Sequence, residues 1–208
     1  MKAETFFTDD EKERIRQAVA AAESKTAGEI VPMIVTSAAR YTEIELLGVI
    51  FGLLIGMIAE AIWSDPWGSP YFQLWPVIGA LIGFLISRLA LVKRLLAPKS
   101  RIDEAVHTLA LASFTDQGLH HTRDHTGILI LISLLEHRVE VLADRGINQK
   151  VSAGTWDEIV HMITAGIKSG QAGNAFCQAI ARCGDILATH FPRQADDKDE
   201  LSNRLVTK

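Results

Sequence analysis

The chain has 208 residues, 22% of them charged, and a formal net charge of −4. This length fits one domain with a small addition, and the ordinary charge content excludes a globally disordered chain. The net charge provides no basic surface of the kind that nucleic-acid binding requires, so we expect no nucleic-acid partner. A mean hydropathy of +0.17 is high for this charge content, which indicates that apolar residues are concentrated in particular segments.

The chain opens with a predicted helix and a short strand. Thr8 and Glu11 form a capping-box pattern, and apolar residues then recur at helical spacing until about Gly28. The run Glu29–Val35 is typical of a strand. Pro32 within it lacks an amide hydrogen, so the strand should lie at an edge or have one side unpaired. The N-terminus contains no apolar stretch, so we expect no cleavable signal peptide.

Two long apolar segments follow. Residues 46–63 carry one charge, Glu60, and residues 71–92 carry one charge, Arg88. With a rise of about 1.5 Å per residue, both helices are long enough to cross a hydrocarbon core about 30 Å thick. The alternative is a pair of core helices in a soluble protein, but helices that are apolar on every side would need a large enclosing domain. We therefore predict a transmembrane hairpin, with the lipid bilayer as its surroundings.

The composition of these segments supports the membrane interpretation. Aromatic side chains of the type found at membrane interfaces cluster around the connecting loop: Trp63, Trp67, Tyr71 and Trp75. Small residues at four-residue spacing would let two helices approach closely: Gly48, Gly52, Gly56, Gly79 and Gly83. The same glycine faces would permit a homodimer.

After the hairpin, the sequence predicts alternating helices and strands. We expect a helix over about residues 100–119, a strand covered on both faces over residues 127–134, and its antiparallel partner over residues 138–143. Two helices close the domain. The first begins with a capping box at Thr155 and ends near Gly170.

These elements predict an α/β fold. A strand–helix–strand crossover makes the first two strands parallel, and the tight turn makes the third antiparallel. The result is a three-layer αβα domain with a small mixed sheet, and the hairpin is inserted between the first strand and its crossover helix. The predicted parts are residues 1–40 of the domain, the hairpin at 41–98, residues 99–192 of the domain, and a mobile polar tail at 193–208.

The basic residues predict the orientation of the hairpin. They lie outside the connecting loop: Arg40, Arg88, Lys93, Arg94, Lys99 and Arg101. The loop SDPWGSP has one Asp and no Lys or Arg. The positive-inside rule therefore predicts a multi-pass protein of the cell inner (plasma) membrane, with both termini and the soluble domain in the cytoplasm and the Pro66–Pro70 loop outside.

Three stretches of the sequence resemble one family. They are FFTDDEKERIRQAVAAAESKTAGEIVPMIV, HTRDHTGILILISLLEHRVEVLADRGIN and WDEIV. Together they resemble a TPM domain, named for a thylakoid lumen protein, a photosystem II repair protein and a nematode receptor auxiliary subunit. The resemblance covers residues 5–37 and 100 to about 190.

The resemblance implies a three-layer αβα fold and a contested function. Some members are described as weak acid phosphatases, some bind divalent cations, and others assist the assembly of membrane complexes. Commoner members carry a signal peptide and a C-terminal span. In this sequence both apolar segments lie inside the domain instead, so the extracytoplasmic setting of those members does not transfer directly.

Polar residues flank the predicted strand hairpin at its open end. Arg123 and Asp124 precede the strand at 127–134, while Asp144 and Arg145 follow its partner. Because antiparallel neighbours place the start of one strand beside the end of the other, Asp124 and Asp144 should converge. Two carboxylates suit a hard cation such as Ca²⁺ or Mg²⁺, and the two arginines suit an anion such as phosphate. The alternative is that these residues only form caps and surface ion pairs.

Two functions are consistent with these patterns. The first is a membrane-anchored, non-catalytic module that binds a protein partner during assembly or maintenance of a membrane complex, with or without a divalent cation. The second is a weak, divalent-metal-dependent acid phosphatase. The sequence has no HExxH, CxxC, GxSxG or Gly-rich phosphate loop, and no recognisable pairing of a nucleophile with a base, which favours the first.

The predicted orientation can be tested with a topology reporter. Alkaline phosphatase inserted at Gly68 should be active, because the positive-inside rule places this loop outside the cytoplasm. The same reporter fused after Lys208 should be inactive. Enzyme activity from the C-terminal fusion instead would reverse the predicted orientation.

Overall fold

The structure is a computed structural model that describes residues 2–62, 74–122, 124–152, 154–193 and 201–208. The chain divides into two compact units, one formed by residues 1–38 and 103–208 and the other by residues 39–102. The elements in chain order are α1 (Asp9–Glu23), β1 (Glu29–Val35), α2 (Thr42–Ile62), α3 (Trp75–Ser87), α4 (Ala90–Leu96), α5 (Lys99–Asp116), β2 (Gly127–Ser133), β3 (Arg138–Ala143), α6 (Arg145–Asn148), α7 (Thr155–Lys168), α8 (Ala172–His190) and β4 (Val206–Thr207).

The first unit contains a mixed sheet with the strand order β3-β2-β1-β4. β1 and β2 are parallel, and their register runs from Glu29 opposite Gly127 to Val35 opposite Ser133. β2 and β3 are antiparallel neighbours. The predicted small mixed α/β sheet is therefore confirmed, including the direction of its first three strands.

Burial on both faces explains why β1 and β2 are apolar except for Glu29 and Ser133 at their ends. Alternate residues of a strand point to opposite faces. In β2, Ile128, Ile130 and Ile132 join a core cluster with α1, α7 and α8, whereas Leu129 and Leu131 join a cluster with α5. Each fully buried side chain of this size contributes about 1.5–3 kcal/mol, so helices on both faces are needed to exclude water from the sheet.

The outer edge of β1 shows how Pro32 is accommodated. The Ile30 N–H donates to Glu23 Oε1 at 2.9 Å, and the Lys208 N–H donates to the Ile34 carbonyl at 3.1 Å. Pro32 lies two residues from each of these positions and directs its nitrogen to the same edge, where it needs no acceptor. β4 pairs only with Met33 and Ile34, so the prediction of an incompletely paired side is confirmed. Strand β4 itself was not predicted from the polar tail.

The two predicted capping boxes differ in outcome. At α1, the Glu11 N–H donates to Thr8 Oγ1 at 3.2 Å and the Thr8 N–H donates to Glu11 Oε2 at 2.9 Å. At α7 the prediction is wrong, because Thr155 already lies inside the helix and Gly154 is the capping residue. The Thr155 hydroxyl donates instead to the Ser152 carbonyl at 2.9 Å. Gly170 follows α7 with a φ of 74°, a left-handed conformation typical of a helix end.

The apolar segments of the second unit are only partly as predicted. α2 is long and apolar enough to cross a membrane, and 17% of its most apolar stretch is buried. The predicted span over residues 71–92 is not one continuous helix, because α3 ends at Ser87 and α4 continues at an angle of 85°. The break arises at Leu89, whose φ of −65° and ψ of 133° are extended. Among the described residues, a second crossing exists only if α3 and α4 count as one broken span.

Part of the predicted hairpin lies outside the described residues. This part is residues 63–73, which include Trp63, Trp67, Tyr71 and the loop Pro66–Pro70. The structure therefore does not test the predicted aromatic clustering at the loop.

Helices α2 and α3 pack through the glycines that the sequence singled out. A Cβ added to Gly52 would come within 3.0 Å of the Gly79 carbonyl oxygen, and one added to Gly83 would do the same at Gly48. The backbones therefore touch directly, as small residues at this spacing allow. Because these faces are used within the chain, they give no separate support to the homodimer, which stays a prediction.

The glycine contact predicts that a large side chain at Gly52 separates the two helices. Gly52→Leu should destabilise the hairpin by about 1–3 kcal/mol, the usual cost of overpacking, since the opposing group is backbone and cannot rotate away. The measurement is the detergent-to-SDS midpoint at which helical circular dichroism is lost. Ile55→Phe is the matched control, because Ile55 is 64% exposed on the same helix. Equal midpoints for the two variants would contradict the packing argument.

Candidate functional site

The open end of the β2–β3 hairpin places Asp144 beside the first residue of β2. The Asp144 N–H donates to the Gly127 carbonyl at 2.9 Å, which extends the antiparallel ladder by one bond. The residues before β2 therefore lie beside the residues after β3.

His125 lies at the centre of this neighbourhood, between a carboxylate and a guanidinium. Asp144 Oδ2 lies 3.2 Å from His125 Nδ1, and an Arg145 guanidinium nitrogen lies 2.7 Å from His125 Nε2. A guanidinium only donates hydrogen bonds, so Nε2 must be the acceptor and the hydrogen must sit on Nδ1, facing Asp144.

Asp144 also begins helix α6. Its Oδ1 accepts the Arg145 N–H at 2.6 Å, and this short helix continues from Arg145 to Asn148. Both carboxylate oxygens of Asp144 therefore have protein partners, one at the helix and one at His125. A cation bound here would have to share or displace one of these contacts.

A close backbone approach fixes the position of His125. A Cβ on Gly146 would lie 2.5 Å from the Asp124 carbonyl oxygen and 2.6 Å from the His125 carbonyl oxygen. His125 itself has a φ of 55°, in the left-handed region that non-glycine residues seldom occupy. The loop before β2 is thus held against α6 by a glycine that leaves no room for a side chain.

The predicted metal and anion ligands have different outcomes. Asp124 is exposed, and its backbone rather than its carboxylate is what contacts the α6 segment. Arg123 lies outside the described residues. No group of three or more His, Cys, Asp or Glu side chains is placed to hold a metal within the part of the chain that the structure describes. The cation and anion sites therefore stay predictions.

Sequence reasoning missed His125 as a partner of Asp144. Histidines at 121 and 125 have the spacing of a helical metal pair, but neither Thr122 nor Asp124 between them is helical. The antiparallel register could have indicated this contact. It places the start of β2 beside the end of β3, and His125 is at least as close to the start of β2 as Asp124 is.

At the opposite end of the hairpin, Glu136 forms a buried hydrogen-bond centre. Its carboxylate is 2% exposed and accepts hydrogen bonds from Ser37 Oγ at 3.2 Å and from the Ala38 N–H at 3.0 Å. It also accepts one from Ser133 Oγ. Buried carboxylates require such partners. Glu136 therefore ties together the ends of β1 and β2, at the point where the chain leaves the first unit.

A cavity of about 520 Å³ lies near the same end of β2. Ligand pockets commonly have this size, and in open α/β sheets they commonly lie beyond the carboxyl ends of parallel strands. Its lining is mainly apolar and includes Phe6, Phe7, Ile132, Leu134, Val139 and Ile167. Its charged residues are three potential cations and one carboxylate: His137, Arg138, Lys168 and Glu11.

The charged groups around this cavity differ in their contacts. The Arg138 guanidinium binds Asp103 with an Nε–Oδ1 distance of 2.7 Å. Glu11 is engaged in the cap of α1. Lys168 is exposed at the end of α7. The cavity therefore combines an apolar floor with a rim that carries more positive than negative charge.

The two cysteines are unsuited to nucleophilic chemistry. Burial raises the pKa of the Cys183 thiol to about 12, and burial also raises the pKa of Cys177. The thiolate is the reactive form, so both groups stay protonated and unreactive near neutral pH. Both are free thiols in the structure.

The sheet, its two-sided helical cover and the polar open end of the hairpin define a small mixed α/β domain. Residues 88–186 match the family model of the TPM domain, which confirms the predicted resemblance over that range. The N-terminal stretch at residues 5–37 lies outside the matched range, although β1 pairs directly with β2.

A solved structure shows the same fold. The NMR structure of the BA42 protein from the psychrophilic bacterium Bizionia argentinensis superposes with a TM-score of 0.63 at 21% sequence identity. The match covers 100% of this chain and 99% of that chain. No curated protein matches this sequence.

Proposed function

We propose that this chain is a membrane-anchored TPM module that binds a protein partner and serves the assembly or maintenance of a membrane complex without catalysing a reaction. The proposal includes the inner membrane as its location, both termini in the cytoplasm, and α2 with α3 as the inserted anchor. It also includes a three-layer αβα fold, in which the anchor is inserted into the crossover between β1 and β2. The observation that carries it is the exposed apolar surface of α2.

The exposure of α2 distinguishes a membrane helix from a core helix. A core helix of a soluble protein is mostly buried, whereas only 17% of the most apolar stretch of α2 is buried. Ile55 and Met57 are 64% and 51% exposed, and at about 100° per residue they point to nearly opposite sides of the helix. An apolar surface of this extent in water would be an aggregation site, and a bilayer removes it from water.

The cavity beside Glu136 supports a binding role. It would accept an apolar side chain of a partner, and the cations on its rim would complement an acidic group next to that side chain. A divalent cation such as Ca²⁺ or Mg²⁺ at Asp124 and Asp144 would be an addition to this role.

Site-specific photo-crosslinking tests the binding role. A photoreactive phenylalanine at Ile167, which lines the cavity, should capture a membrane protein in intact membranes that resist alkaline carbonate extraction. The same group at the exposed Gln178 is the control and should capture none. Lys168→Glu should reduce the yield at Ile167 severalfold, because it reverses a charge on the rim. Equal adducts at both positions would reject the cavity as the binding site.

A weak phosphatase is the second candidate, and the arrangement around His125 favours it. A carboxylate that orients an imidazole, with a guanidinium beside it, is an arrangement used for acid–base chemistry next to a bound anion. In this resting arrangement Arg145 occupies Nε2, so an anion would have to draw the guanidinium away before that nitrogen could exchange a proton.

Hydrolysis of a phosphomonoester by the purified full chain in detergent tests this second function. Turnover should require Ca²⁺ or Mg²⁺ and should fall by at least tenfold in the Asp124→Ala, Asp144→Ala double variant. His125→Gln should also reduce it, by roughly 10²-fold if His125 transfers a proton. Turnover that is equal in all proteins would indicate a contaminant, and no turnover in any of them would leave the binding role alone.

A further inference from the structure

Contacts with α2 fix the position of the sharp bend between α3 and α4. Gly48 of α2 packs against Gly83 and Ser87, which places the C-terminal end of α3 beside the beginning of α2. The Lys93 ammonium lies 2.6 Å from Glu45 Oε1, so α4 is also tied to the first turn of α2. The chain therefore turns where α2 changes from polar to apolar residues.

Helix α4 is amphipathic along its whole length. At about 100° per residue, Leu91, Val92, Leu95 and Leu96 share one side, while Lys93 and Arg94 lie on the other. Leu91 is 61% exposed and Leu95 is 71% exposed. A helix with an apolar side and a basic side suits the boundary between headgroups and acyl chains, where each side meets a matching environment.

We propose that α4 lies flat in the inner surface of the membrane and that its basic side, together with Arg88 and Lys99, binds the headgroups of anionic phospholipids. This inference rests on the proposed anchor. If α2 crosses the bilayer and α3 packs along it within the membrane, the 85° bend turns α4 into the membrane plane at the level of Glu45. The leucines then enter the acyl boundary, and Arg94 reaches the phosphates.

The competing arrangement is that α3 and α4 together form one broken span. It would bring Lys93 and Arg94 into the hydrocarbon, where each charged residue costs roughly 2.5–3.5 kcal/mol on insertion scales. It would also move α4 away from the polar end of α2, to which the Lys93–Glu45 ion pair fixes it. An interfacial α4 avoids both costs.

Depth-dependent fluorescence quenching in lipid nanodiscs tests the position of α4. The full chain carries Cys177→Ser and one fluorophore-labelled cysteine, introduced as Leu95→Cys in α4, as Ile55→Cys in α2, or as His161→Cys in the first unit. Quenchers are attached to lipids either near the headgroup or near the chain end. Leu95→Cys should be quenched mainly from the headgroup region, Ile55→Cys mainly from the chain ends, and His161→Cys by neither.

Each of the other results contradicts the inference and indicates a different alternative. Quenching of Leu95→Cys from the chain ends would identify a broken span. An unquenched Leu95→Cys beside a quenched Ile55→Cys would place α4 in water while leaving the anchor intact. An unquenched Ile55→Cys would reject the anchor itself, and with it the proposed function.

Lipid selectivity tests the proposed partner of the basic side. Spin-labelled phosphatidylglycerol should associate with the wild-type chain in preference to spin-labelled phosphatidylcholine. Arg94→Gln with Lys99→Gln should abolish this preference. Lys25→Gln with Arg182→Gln removes the same charge from the first unit and should leave it unchanged. The assignment to anionic lipid would be overturned if the Arg94→Gln, Lys99→Gln variant kept the preference. It would also be overturned if both double variants lost the preference equally.

Discussion

The parallel pairing of β1 with β2 is the constraint on which the domain depends. Parallel neighbours cannot be joined by a tight turn, so the chain must leave the sheet and return over a long crossover. Both strands are buried on both faces, so helices must cover the sheet from each side. Helices α1, α7 and α8 serve one face and α5 serves the other. The second unit lies within the crossover that this pairing requires.

Elements with a strong local signal were predictable from the sequence, and contacts between distant segments were not. The continuous apolar runs identified β1 and β2, and the Thr8–Glu11 pattern located the start of α1. The break after Ser87 was missed, because hydropathy registers composition but not a single extended residue at Leu89. β4 was missed because two residues in a charged tail carry no periodicity, and their pairing with β1 decides their structure.

The difference between local signals and long-range contacts also explains which parts of the candidate site could be predicted. Strand register alone brings the backbone before β2 beside the backbone after β3, so this proximity of the two segments followed from the sequence. The contact between His125 and Arg145 depends on a left-handed residue and on the space left by Gly146, and neither has a sequence signature. The cavity draws on α1, β2, β3 and α7, so its lining could only be recognised in three dimensions.

The insertion within the crossover sets an order for biosynthesis. β1 leaves the ribosome about a hundred residues before the end of β2, its only long partner among the described strands. At typical synthesis rates of 5–20 residues per second, that interval lasts roughly 5–20 s. The whole second unit emerges in the meantime. A largely apolar strand without its neighbour is prone to aggregation, so the newly made N-terminal segment needs protection until β2 is complete.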